Sequence, residues 1–268
     1  MSFALLPLIA FICYLTATIA VAQRLYHPQG PQLKLVFSAA TAGIVLHMLG
    51  LSQSMFAADG QNFSLVNVSS LVCWLITTSF TFAALRTPIT LLLPIVFGFA
   101  ALVQLAVGLL PAGQQVQHFE QNPWLLLHVI IAFIAYVILI MATLYSFQVS
   151  YISQRLKQKN PLQTGSVFPP LMQAEQLLFR LVLSGTLLLG LTLISGALFT
   201  ADWFAKHNIH KNVLSLVAFL LFGLLLVGHA RLGWRGRIAN GLTIAASLML
   251  TLAYFGSRFV REILLERL

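Results

Sequence analysis

The chain has 268 residues, of which 59% are hydrophobic and only 8% are charged. Roughly a quarter of the residues in a soluble domain are charged. This composition therefore excludes a water-soluble globule and indicates a polytopic membrane protein. The net charge of +9 does not indicate nucleic-acid binding, because basic residues of membrane proteins collect in cytoplasmic loops. We therefore predict a single integral-membrane domain over residues 1–268, with the lipid bilayer as its main partner and no nucleic acid.

Eight apolar segments follow one another along the chain, each long enough to cross ~30 Å of hydrocarbon. They predict transmembrane helices at residues 3–22, 35–52, 64–85, 89–110, 124–149, 177–199, 212–230 and 239–258. The expected fold class is all-α, with about eight transmembrane helices. The first segment lacks a basic flank and a small-residue cleavage site, so we interpret it as a retained span.

The basic residues predict the orientation in a bacterial inner (plasma) membrane. Nine Lys or Arg residues lie in the loops after helices 1, 3, 5 and 7, against two in the loops after helices 2, 4 and 6. The first set is expected in the cytoplasm, which places both termini on the outer, periplasmic side. Three arginines of the C-terminal tail, Arg258, Arg261 and Arg267, run against this pattern.

His47 and His128 lie inside predicted spans, at similar depths towards the outer side. Ionisable residues within spans usually mark a cavity, a relay or a ligand site. Small residues accompany both: Ala40, Gly43 and Gly50 share the helix face of His47, and Ala132 and Ala135 that of His128. Such strips have two explanations, close helix packing or room for a flat group whose metal the imidazole binds. Spacing alone does not decide between them.

The other titratable residues give weaker indications of a functional site. His229 lies at the inner end of the seventh helix, where its side chain can reach the interface. His207 and His210 have an i,i+3 spacing that alone is weak support for a metal site. The sequence contains no Ser-His-Asp or HExxH constellation and no nucleotide-binding motif, and its carboxylates lie in loops or at span edges.

Four stretches of the chain, from about the third helix onward, carry a resemblance to a known family. They read FSLVNVSSLVCW (63–74), PWLLLHVIIAFIAYVILIMATLYS (123–146), LLLGLTLISGALF (187–199), and LLFGLLLVGHARLGWRGRIAN (220–240) followed by LTLAYFGSR (250–258). The chain resembles the cytochrome c assembly, or haem-handling, membrane protein superfamily, which includes CcsA/ResC, CcmC and CcmF.

This resemblance implies roles for individual residues. The position of His128 corresponds to an outer-side haem ligand, and that of His229 to an intramembrane haem ligand of CcsA-type proteins. His47 has no matching position, so its candidacy as the second axial ligand rests on its depth and its small-residue strip. Trp124 and Trp203 are expected to stack on or shield the edge of the porphyrin. The implied cofactor is haem b.

The chain also departs from the family pattern. The tryptophan-rich outer loop of the family is reduced to TADWFAKHNIHKN, in which Asp202 and Trp203 remain, and no histidine follows Arg258. Either His47 or the loop with His207 and His210 supplies the partner of His128, or haem is handled differently, or it has been lost.

The leading hypothesis is a haem-binding or haem-handling inner-membrane protein in cytochrome c assembly or haem homeostasis. It would deliver or chaperone haem, with membrane or apocytochrome partners, without catalysis by this chain alone. One alternative is a non-catalytic membrane scaffold that kept the fold and lost haem. A second is a small-substrate transporter whose path is lined by Asn67, Gln104 and Gln148, although no carboxylate is buried in a span.

Overall fold

The computed structural model describes residues 5–25, 27, 29–56, 60–87, 89–110, 113, 115–118, 122–158, 170–199 and 209–259. The long helices, in chain order, are α1 (Leu5–Ala22), α2 (Leu33–Met55), α3 (Leu65–Ala84), α4 (Leu93–Leu109), α5 (Pro123–Lys157), α6 (Leu171–Phe199), α7 (Ile209–Leu232) and α8 (Gly236–Thr251). A π-helical turn (Leu252–Gly256) joins α8 to the short α9 (Ser257–Phe259). Two short strands are β1 (Gln61–Asn62) and β2 (Val116–Gln117).

The helices confirm the prediction of an all-α polytopic membrane protein. Within the described residues, seven helical segments are long and apolar enough to cross a membrane, if α8, the π-helical turn and α9 are taken together as Gly236–Phe259. The remaining helix, α4, is apolar but has 17 residues. Apolar length alone identifies such segments, because each helix satisfies its own backbone hydrogen bonds in lipid.

The first of two compact units contains α1 to α4 and both strands. Helix α1 packs against α2 and α4, and α3 packs against the same two helices, so the four form a closed bundle. The core of this bundle is apolar and includes the fully buried Tyr14 and Phe97, whose rings stack with centroids 6.5 Å apart. Small residues such as Ala17 and Ala40 complete the packing between helices.

At one end of this unit, β1 and β2 pair as an antiparallel ribbon around the side chain of Asn62. The Asn62 amide donates to the carbonyl of Gly113 at 3.0 Å, and its Oδ1 accepts from the backbone N–H groups of Ser64 and Gln115 at 3.1 Å. The Ser64 hydroxyl then caps α3 by accepting the N–H of Asn67. This end carries the loops that the basic residues predict to be periplasmic, and we call it the predicted outer end.

The second unit contains α5 to α9, with α5 packed against α6 and α8, and α7 packed against the same two helices. Polar side chains pair along the contact of α5 with α8: Tyr136 with Thr251 at 3.0 Å, Thr143 with Ser247, and Ser146 with Asn240. Such interhelical hydrogen bonds help to hold transmembrane helices together, because the hydrophobic effect does not drive helices to associate within lipid. The predicted outer end of this unit is the beginning of α5 and the end of α6.

Most helix boundaries lie within four residues of the sequence prediction, but one end each of α5 and α6 differs by more. Helix α5 continues from residue 149 to Lys157, and α6 begins at Leu171 instead of residue 177. Hydropathy detects only the part of a helix that lies in lipid, whereas these ends are polar and continue the same backbone hydrogen bonding. The orientation of the termini and the single domain over residues 1–268 stay predictions.

Candidate functional site

His128 lies in the second turn of α5 and is half-buried against α6. Its Nδ1 is 2.8 Å from the Ser195 hydroxyl oxygen, and that hydroxyl donates to the carbonyl of Thr192 at 3.1 Å. In the tautomer that fits a hydroxyl donating its one proton to Thr192, the hydroxyl accepts the Nδ1–H of the imidazole. The lone pair then resides on Nε2, for which the described residues provide no hydrogen-bond partner. A histidine held in this way through one nitrogen presents the other to a metal.

Aromatic rings lie one turn away from His128. Trp124 stacks on Phe199 with ring centroids 5.4 Å apart and an interplanar angle of 15°. Trp124 remains 59% exposed, so its indole has a free face at the predicted outer end. Trp203 and His207 lie outside the described residues, and His210 is exposed at the beginning of α7. The structure therefore describes Trp124, of the two predicted tryptophans, as an available aromatic surface.

The predicted outer end of the second unit also carries cations that sequence reasoning did not identify as a group. Lys211 Nζ lies 5.8 Å and Arg258 Cζ 5.1 Å from the ring centroid of Tyr254, in the π-helical turn. The Tyr254 ring meets Phe133 of α5 edge to face, and Lys211 lies within electrostatic range of His128. π-Helical turns are rare and frequent at functional sites, but sequence periodicity does not reveal them.

His47 is buried in the first unit and is 1% exposed. Its Nδ1 hydrogen-bonds to the Tyr14 hydroxyl at 3.2 Å and its Nε2 to the Ser70 hydroxyl at 2.9 Å. The amide of Gln104 donates to the same Ser70 oxygen at 3.4 Å. Both ring nitrogens are thus engaged inside the bundle, and iron binding by His47 would require the loss of one of these bonds.

The small-residue strip on α2 is filled by α1. A Cβ at Gly43 would lie 2.9 Å from Cε1 of Tyr14, and one at Gly50 would lie 3.5 Å from Cβ of Leu6. Ala40 of the same strip is fully buried. Of the two explanations for this strip, the structure shows close helix packing, which also brings the Tyr14 hydroxyl to His47.

His229 lies at the opposite, predicted inner end of the second unit. Its Nδ1–H donates to the carbonyl of Trp234 at 3.0 Å, and its ring stacks on Phe179 of α6 with centroids 3.4 Å apart. Trp234 packs so closely on Gly228 that an added Cβ would clash with its ring. The Nε2 of His229 is again the nitrogen that remains for another partner.

The polar residues proposed to line a transport path are engaged within their units. Asn67 donates to the carbonyls of Asn62 and Ser54 at 3.0 and 3.3 Å, and Gln104 donates to Ser70. Gln148 is fully buried. Each of the three side chains is inaccessible to solvent in the described structure. The prediction of a transport path through them is untested.

The family model described as "Cytochrome C assembly protein" matches residues 35–265. The chain belongs to the cytochrome c assembly protein family. Membership in the cytochrome c assembly family supports a role in cytochrome c biogenesis and confirms the resemblance derived from the four sequence stretches.

Curated relatives agree with this family. The chain is 37% identical over 259 residues, 96% of its own length and 98% of the relative's, to the protein named "Inner membrane protein YpjD" of Escherichia coli K12. It is 36% identical over 53% of each chain to an uncharacterized 28.8 kDa protein of Azospirillum brasilense. It is 27% identical, over 52% of its own length and 51% of the relative's, to the cytochrome c biogenesis protein CcsA of Prochlorococcus marinus.

No solved structure matches this member of the cytochrome c assembly family. Its apolar helices and its similarity to a full-length inner-membrane protein identify it as a multi-pass protein of the bacterial inner membrane.

Proposed function

We propose that the protein binds and hands over haem during cytochrome c assembly, with Nε2 of His128 as an axial ligand near the outer face. The observation that carries this proposal is the hydrogen bond from His128 Nδ1 to Ser195, which leaves Nε2 as the coordinating nitrogen. Neutral imidazole is a standard axial ligand of haem iron. The family supports a haem-handling role, since cytochrome c carries haem as its cofactor.

The residues around His128 suit the chemistry of haem b. Trp124 and Phe199 offer an aromatic surface for the edge of the macrocycle. Lys211 and Arg258 supply positive charge at the same end, where the two haem propionates require cations. When bound, haem supplies the iron centre that a cytochrome needs. This chain's own residues hold and orient that cargo, so we propose delivery or chaperoning without catalysis by this chain alone.

Absorption spectroscopy of the full-length protein in mild detergent tests the proposal. The oxidised protein should show a Soret band, and the dithionite-reduced protein should show sharp α and β bands if two axial ligands are present. His128→Ala should lose most of the bound haem, whereas His27→Ala, in an exposed loop, should keep it. Equal haem content in the wild type and His128→Ala would make the ligand assignment wrong.

The identity of the second axial ligand is a further prediction, with His47 as the candidate and His229 as a candidate for a separate inner haem. Loss of the low-spin bands in His47→Ala, with a high-spin spectrum in their place, would support His47. Loss of a second, spectrally distinct haem in His229→Ala would support His229. Trp203→Ala tests the stacking role of the second tryptophan by the same haem content.

A scaffold without haem is the second candidate function. The observation that favours it is the full engagement of His47 by Tyr14 and Ser70 in a packed bundle, which accounts for one intramembrane histidine by structure alone. This function predicts a featureless spectrum that haem addition does not change, together with co-purifying membrane proteins such as an apocytochrome or an assembly partner.

A further inference from the structure

An apolar groove of about 530 Å³ lies between α6 and α7 at the predicted inner end of the second unit. Its walls are side chains of Phe179, Leu183, Leu226 and Val227, and the ring of His229. Leu183 and Val227 are 48% and 55% exposed, so the groove opens on the outside of the helix pair, where a membrane protein meets lipid. An apolar molecule can therefore enter it sideways from the bilayer.

Two arginines, Arg180 and Arg231, stand at this groove, one from each helix. Among the residues that the structure describes, Glu175 is the single carboxylate, and its contact is with Arg235 at 4.0 Å. Neither Arg180 nor Arg231 thus has a carboxylate partner in the described part of the chain. The same end carries Arg155 and Lys157 in the last turn of α5. The groove thus combines an apolar body with two guanidinium groups that no described carboxylate compensates.

The position of Arg180 within α6 was not evident from hydropathy, which placed the start of this helix at residue 177. Because α6 begins at Leu171, Arg180 lies about 14 Å along the helix axis from its first residue. The polar first turns of α6, residues 171–176, precede its apolar segment, so the Arg180 guanidinium can reach the interface while its methylenes stay on apolar surface. In the sequence, the signal for a functional role of Arg180 is its position as an isolated arginine inside an apolar segment.

We propose that this groove is a binding site for an anionic phospholipid of the bilayer. Arg180 and Arg231 bind the phosphodiester, for which the planar guanidinium fork is suited, and one acyl chain lies along Leu183 and Val227. The positive-inside pattern places this end at the cytoplasmic leaflet, and basic pockets between helices on that side bind anionic head groups. The proposal goes beyond haem handling and does not depend on haem binding at His128.

The arrangement favours a phospholipid over other anionic molecules. A free phosphate would find the guanidinium groups but would leave the apolar walls uncovered. The ring of His229 is fixed as a wall by its bond to the Trp234 carbonyl and by its stacking on Phe179. A phospholipid matches both parts of the groove. Its phosphate group is covalently linked to its acyl chains, just as the arginines adjoin the apolar walls.

Binding of phosphatidylglycerol to the full-length protein, measured by native mass spectrometry after titration in detergent, tests the site. Phosphatidylcholine serves as the zwitterionic comparison. If each arginine contributes as basic residues near anionic lipid do, the double variant Arg180→Gln/Arg231→Gln should bind phosphatidylglycerol about 30-fold more weakly. The single variants Arg180→Gln and Arg231→Gln are each compared with the matched control Arg237→Gln, which removes the same one charge at the same end from a residue outside the groove lining.

A second variant tests the groove without changing charge. Val227→Trp fills the apolar walls and should also weaken phosphatidylglycerol binding, while Arg180→Lys/Arg231→Lys should retain more of it than the glutamine pair. Equal binding of both lipids, equal loss in Arg237→Gln, or unchanged binding in Val227→Trp would each overturn the proposal. Loss of a haem absorption band in the glutamine pair, with phosphatidylglycerol binding unchanged, would overturn it and assign the groove to haem. Haem binding at His128 is tested separately, by the haem content of the His128→Ala variant.

Discussion

At His128, the hydroxyl of Ser195 decides which nitrogen of the imidazole faces outward. The serine can play this part because its proton is already given to the backbone of its own helix, at Thr192. A ring anchored at Nδ1 cannot turn over without breaking that bond. Ser195 therefore acts as a positioning residue for the proposed ligand.

Replacing Ser195 with alanine should weaken haem binding without abolishing it. Outer partners of metal-binding histidines typically change metal affinity by about 10- to 100-fold. The measurement is haem titration of purified Ser195→Ala, followed through the Soret band, with the low-spin signature as a second readout. Ser184→Ala, an exposed serine that bonds to its own helix at Leu181, should behave like the wild type. Identical titrations for Ser195→Ala and Ser184→Ala would contradict the positioning role.

Ser70 has a comparable place in the first unit, where it bonds to both His47 and Gln104. Its replacement by alanine leaves two buried polar groups with one partner fewer. Loss of such a partner costs about 1–3 kcal/mol. Ser70→Ala should lower the melting temperature in detergent, whereas Ser38→Ala, at an exposed position of α2, should not. Unchanged melting of Ser70→Ala would show that the network contributes little to stability.

At the scale of helices, the contact of α1 with α2 depends on a glycine beneath an aromatic ring. Gly43 faces the Tyr14 ring so closely that even a methyl group would lie 2.9 Å from it. Close approach of this kind is the usual use of small residues between transmembrane helices. The same contact positions the Tyr14 hydroxyl for His47.

Gly43→Ala should destabilise the first unit, because the Tyr14 ring or the whole helix must shift. Overpacking of a filled core costs typically about 1–3 kcal/mol. The control is Gly223→Ala in α7, where an added Cβ meets nothing within 4 Å and helix propensity favours alanine. Thermal unfolding in detergent should separate the two variants. A Gly43→Ala protein as stable as Gly223→Ala would refute the packing role of this glycine.

The helices were predictable in number and position because their apolar length is a local property of the chain. The ends of α5 and α6 were not, since SYISQRLK and LMQAEQ continue a helix without the hydropathy of a span. The two-residue strands carry no periodicity, and the π-helical turn changes only the hydrogen-bond register of the backbone. The partners of the histidines also escaped prediction, because Ser195 is 67 residues away from His128 and Ser70 is 23 away from His47.

At the scale of the molecule, the chain divides into two bundles of four long helices, each closed on itself. His47 belongs to the first bundle and His128 to the second. Basic residues lie at the end of each bundle that the positive-inside rule assigns to the cytoplasm, with Arg24 and Arg86 in the first bundle and Arg155 and Arg231 in the second. Both bundles thus predict the same orientation independently.

Cysteine labelling in cells tests this orientation. His118→Cys, beside β2 at the predicted outer end, should react with a membrane-impermeant maleimide in intact spheroplasts. His27→Cys, in the exposed loop after α1, should react only after permeabilisation. The native Cys73 is buried and Cys13 lies within α1, so the unmodified protein sets the background. The reverse labelling pattern would invert the predicted topology.

The longest helix, α5, is continuous from one end of the second unit to the other. Helix α5 has 35 residues, about 50 Å, and after Pro123 it contains neither proline nor glycine. Sharp bends in helices arise almost always at such residues, so nothing in its sequence provides a hinge. If haem binds at the proposed ligand His128, any tilt of α5 that accompanies binding would be carried along one continuous helix to Arg155 and Lys157 at its other end. Binding at one predicted end of the second unit would then be detectable as a displacement at the other end.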